Sequence, residues 1–86
     1  TVIGGHVMVV DDEPSLTRLW QEVLEGAGYR VSCHADGAAA LAAFEAAPEA
    51  VDAMILDMTM PLLSGEGLAR AVLGRRPELP VFICTG

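Results

Sequence analysis

Asp11 and Asp12 stand together at the end of an apolar run, HVMVV, and Asp57 stands alone at the end of another, AMIL. A carboxylate is among the residues least welcome inside a protein unless something pairs with it or coordinates it. Carboxylates gathered in one place repel, and raise one another's pKa until a cation neutralises them. One or two carboxylates, with several waters retained, are the oxygen ligands that Mg²⁺ prefers. A carboxylate held beside such an ion is also a competent nucleophile toward phosphorus, forming an aspartyl phosphate. Thr85, in the run VFICTG, could donate its hydroxyl to a phosphoryl oxygen, and Gly86 beside it leaves room for the group to approach. This chemistry requires that three segments far apart in the chain end at one place.

The segments between them say how. HVMVV, residues 6 to 10, does not alternate apolar with polar, and so reads as a strand buried on both faces, as in a parallel sheet. In EPSLTRLWQEVLEGAG, Leu16, Leu19, Trp20, Val23, Leu24 and Ala27 fall on one stripe of an amphipathic helix, with Pro14 in its first turn and Gly26 or Gly28 at its stop. YRVSCHA is a second strand, more alternating and therefore nearer an edge. Asp36 caps a second helix, GAAALAAFEAA, which Pro48 closes. VDAMILD is a third strand, GEGLARAVLGRR a third helix and PVFICTG a fourth strand. Strands and helices alternate with short connections, which specifies an α/β sheet with right-handed crossovers and parallel strands. In such sheets ligands sit outside the carboxyl ends of the strands, near the topological switch point. Asp11, Asp12, Asp57 and Thr85 all fall at such ends.

The bulk properties set bounds. Eighty-six residues make one small domain at most. The chain is 52% hydrophobic, yet its apolar runs are too short to cross a bilayer, which takes about 20 residues, and TVIGG has no signal-peptide features. A net charge of −7 argues against a nucleic-acid surface, and the five basic residues are all arginine. Cys33 and Cys84 have neither CxxC nor paired histidine spacing, and read as buried free thiols in a reducing compartment. His6 and His34 read as exposed or hydrogen-bonded structural residues. The GAG and GEG tripeptides are helix punctuation rather than nucleotide loops, and Arg75-Arg76 suits a helix C-terminus.

VVDDEPSL, MILDMTMPLLSG and VFICTG, in this order and spacing, closely resemble the receiver domain of two-component response regulators. The resemblance covers essentially the whole chain. It implies a flavodoxin-like, doubly wound parallel sheet with strand order 2-1-3-4-5, of which residues 1–86 would be the N-terminal part, truncated after strand 4. By position, Asp57 is then the phosphoacceptor and Thr85 the switch hydroxyl. Asp12 binds Mg²⁺ directly, Asp11 mostly through water, and Thr59 through its backbone carbonyl. Met60-Pro61 and Gly65 match the loop shaping the far wall. The implied partners are a sensor histidine kinase or a histidine phosphotransfer protein, with a homodimer also compatible. No direct nucleic-acid binding and no membrane association is implied for this domain, and its location would be cytoplasmic.

The departures concern the cationic part of the site. The family carries a lysine and an aromatic switch residue on strand five, and this chain has no lysine and no fifth strand. Taken singly, Asp11-Asp12 would be a strand-end turn, Asp57 a turn carboxylate before Pro61, and Thr85 a structural β-branched residue. Two alternatives of another kind stand beside the signalling module. One is a Mg²⁺-dependent phosphohydrolase with an aspartate nucleophile, in which a second aspartate would be expected where Thr59 stands. The other is a pseudo-receiver that only binds a partner.

Overall fold

The computed structural model describes residues 5–57 and 65–84. Their order is β1 (His6–Val10), α1 (Pro14–Gly26), β2 (Arg30–His34), α2 (Gly37–Ala46), a 3₁₀ turn (Pro48–Ala50), β3 (Ala53–Asp57), α3 (Gly65–Arg75) and β4 (Val81–Cys84). All strand pairs are parallel, in the order β2-β1-β3-β4. The expected α/β sheet is therefore present, with β2 at one edge. The chain steps from β1 outward to β2, then back past β1 to β3. That reversal makes β1 and β3 the two sides of the switch point.

Handedness then assigns the helices to faces. Right-handed crossovers running in opposite directions put their helices on opposite sides. Accordingly α1 packs on β1 and β2 on one face, while α2 and α3 share the other. The alternation of the strands serves both sides at once. Val7, Val9 and Ile55 meet Trp20 and Leu24 of α1, whereas Met8, Val10, Met54 and Leu56 meet Ala40 and Phe44 of α2 and Leu68 and Val72 of α3. The second cluster is the larger core, and Phe44, Met54, Leu56, Leu68 and Val72 are wholly excluded from solvent. Each such side chain contributes about 1.5–3 kcal/mol on burial.

Helix ends form where the sequence places them. Asp36 Oδ1 accepts a hydrogen bond from the Ala39 N–H at 2.7 Å, capping α2. At the other end of α1, Gly28 adopts φ 98°, its N–H donates to the Glu25 carbonyl at 3.1 Å, and the Tyr29 N–H donates to the Leu24 carbonyl at 3.0 Å. This pair of bonds around a left-handed glycine satisfies carbonyls that the helix leaves open.

Two expectations need correction. The apolar stripe of α1 is only partly inward. Trp20 and Leu24 pack on the sheet, but Leu16, Leu19 and Val23 are exposed at 44%, 55% and 56%, because α1 stands over the β1–β2 side and no described element covers its other flank. Cys33 is exposed rather than buried, since edge strand β2 leaves it at the margin of α1, with its thiol 3.8 Å from the Thr17 carbonyl. The Arg75-Arg76 pair also divides its work. Arg75 makes an exposed ion pair with Glu45 at 3.6 Å. Arg76 turns inward, donating through Nη1 to the Pro48 carbonyl at 2.9 Å and to the Val51 carbonyl, and through Nε to Glu78 at 2.9 Å.

Candidate functional site

Register brings the acidic residues together. Val10 pairs with Leu56 across β1 and β3, so the next residues, Asp11 and Asp57, leave their strands at the same level. Adjacent strands lie about 4.8 Å apart. Asp11 and Asp57 are both buried, at 7% and 8% exposure, and Asp12 beside them is exposed. One carboxylate oxygen from each of the three lies within 4.8 Å of the others.

Backbone bonds hold Asp11 in place. Its N–H continues the β1–β2 ladder one step beyond the strand, donating to the His34 carbonyl at 3.1 Å. Its Oδ1 accepts from the Glu13 N–H at 2.9 Å, an Asx-type turn that leads into Pro14 and α1. These two anchors, the His34 carbonyl and the Glu13 N–H, were not evident in the sequence as parts of the site. The spacing of an aspartate two residues before the residue that precedes a helix is the signal that could have found the second.

Burial raises the Asp11 pKa above the ordinary aspartate range. The Glu13 N–H opposes that rise, while the charges of Asp57 and Asp12 and a hydrogen bond between the Asp11 and Asp57 carboxyls add to it. Burial and like charge here therefore favour either a proton or a cation. Three carboxylates in mutual repulsion are a hard-oxygen donor set and fit a divalent cation such as Mg²⁺. The rim opens beside them into a cavity of about 190 Å³, lined in part by Asp12, Pro14, Thr17 and Ala35.

Among the other predicted positions, Thr59, Met60, Pro61, Thr85 and Gly86 lie outside the described residues, as does the Cys84 side chain. Gly65 begins α3. The register pairs Asp57 with Cys84, so β4 ends level with the acidic group. The histidines stand apart from the acidic group. His6 braces the far end of the sheet, its Nδ1 at 3.1 Å from the Ala50 carbonyl and therefore the protonated nitrogen, its Nε2 at 2.8 Å from Ser32 Oγ. His34 departs from expectation. It is half-buried, its buried Nε2 meets no partner among the described residues, and burial lowers its pKa.

Residues 7–86 match the family model described as the response regulator receiver domain. The chain belongs to the response regulator receiver family. This receiver is 36% identical over 80 residues to the C4-dicarboxylate transport transcriptional regulatory protein DctD of Rhizobium meliloti, covering 93% of this chain and 17% of that protein. It is 34% identical over 79 residues to the probable transcriptional regulatory protein TcrX of Mycobacterium tuberculosis, covering 92% of this chain and 33% of the relative. It thus spans a third or less of these curated relatives. Among solved structures, the receiver is similar to a response regulator receiver domain protein of Clostridium thermocellum, with a TM-score of 0.90 at 30% identity over 95% of this chain and 65% of that one. It is also similar to response regulator TrrA of Thermotoga maritima, solved in complex with Mg²⁺–BeF, with a TM-score of 0.87 at 31% identity over 94% of this chain and 69% of the other. A structure of TrrA in complex with histidine kinase ThkA matches as well, with a TM-score of 0.84 at 30% identity over 95% of this chain and 69% of that one.

Proposed function

We propose that this receiver is a phosphoacceptor signalling module in which Asp57 takes a phosphoryl group from a phosphohistidine of a sensor histidine kinase or histidine phosphotransfer protein. The observation that carries the reading is the group formed by Asp11, Asp12 and Asp57, with oxygens within 4.8 Å of one another at the switch point of a receiver sheet. An Asp57 carboxylate oxygen attacks phosphorus. The P–O bond forms as the P–N bond of the donor breaks, and the electron pair stays with the imidazole nitrogen, which takes up a proton. Asp11, Asp12, Asp57 and the Thr59 carbonyl would hold Mg²⁺, and Thr85 would hydrogen-bond a phosphoryl oxygen. Bound Mg²⁺ would offset the negative charge gathered between nucleophile and phosphoryl oxygens. Asp11 serves by its fixed position: the Glu13 N–H and the His34 carbonyl keep its carboxylate beside Asp57.

Residues 1–86 are, on this reading, the N-terminal part of a receiver within a longer regulator or hybrid sensor kinase, acting in the cytoplasm. No helix among the described residues is long and apolar enough to cross a membrane. The net charge of −7 argues against a DNA contact on this domain. No observation favours the phosphohydrolase alternative, whose second aspartate would stand where Thr59 is.

The test is intact-mass spectrometry of the chain before and after incubation with acetyl phosphate, with and without Mg²⁺, and with Asp57→Asn alongside. A phosphoryl-sized gain that requires Mg²⁺ and is absent from Asp57→Asn is expected. An undiminished gain in Asp57→Asn would overturn the proposal, as would the absence of any gain in a receiver that carries the fifth strand and its lysine.

A further inference from the structure

We draw no further inference here: the strongest candidate, the apolar groove that Val7, Leu24, Tyr29, Ala53, Ile55 and Phe82 line between α1 and β4, has nothing in the structure to show what covers it.

Discussion

Asp11 carries a carboxyl whose protonation is tied to folding. A raised carboxyl pKa means that the folded chain holds a proton that the unfolded chain has already released. The stability that Asp11 contributes is therefore full below its unfolded range and is lost as pH rises through the raised folded value. Without divalent cations, the thermal midpoint should fall over the pH interval above the ordinary carboxylate range, about pH 4. Asp57→Asn removes one of the facing charges, so its midpoint should fall less over that interval and lie above wild type at the upper end. Each kcal/mol regained should appear as about 4–8 °C in a domain of this size. Melting curves for the two proteins across the interval, in a chelator, check this; parallel curves would mean that the two carboxyls are not coupled. Millimolar Mg²⁺ should raise the wild-type midpoint by binding only the folded chain. The identities of these residues could be read from the sequence, because a carboxylate closing an apolar run needs a reason. Their burial and close approach could not, since both depend on the register of β1 against β3.

Helix ends decide where the strands that follow them begin, and two are held by single residues. Gly28 turns α1 toward β2 at φ 98°, a conformation in which a Cβ crowds the following carbonyl. Gly28→Ala should cost about 1–2 kcal/mol by that strain alone. The cost should appear in urea unfolding as a lowered midpoint with an unchanged slope. Asp36→Ala removes the acceptor for the Ala39 N–H at the start of α2 and should cost about 1 kcal/mol by the same measurement. Asp36→Asn should keep most of the capping energy. The Asp36 cap was legible beforehand and the α1 stop was narrowed to Gly26 or Gly28, because caps and glycine stops are local and need only a few neighbouring residues. The direction of the α1 stripe was less legible. The periodicity of Leu16, Leu19, Trp20, Val23 and Leu24 marks an apolar face, but which part of it meets the sheet depends on where the helix is set down. The crossover to β2 sets it over β1 and β2, leaving Leu16, Leu19 and Val23 outward.

Across the whole molecule, the α2–α3 layer and the far end of the sheet are tied by Arg76. Its guanidinium, at 16% side-chain exposure, reaches back from the end of α3 to the carbonyls of Pro48 and Val51, the approach to β3. Hydrogen bonds from a charged donor contribute about 1.5–3 kcal/mol, and carbonyls stripped of a partner lose it in full. Arg76→Ala should destabilise by roughly 2 kcal/mol, while Arg75→Ala, at an exposed ion pair, should cost under about 1 kcal/mol. Equal losses in urea unfolding would refute the distinction. Nothing in the dipeptide Arg75-Arg76 separates the two, because helical rotation turns one outward to Glu45 and the other toward a segment far away in sequence. From the sequence by itself, the alternation of apolar strands and capped helices determined the fold class and the parallel strands, and the motifs VVDDEPSL, MILDMTMPLLSG and VFICTG, in order, carried the family resemblance. Those signals are local or rest on chain order. Tertiary structure alone decided that Asp11 and Asp57 meet at one level, that Cys33 is open to solvent and that His34 buries a nitrogen with no partner among the described residues. Each depends on the pairing and packing of elements distant in the chain, which composition and periodicity do not encode.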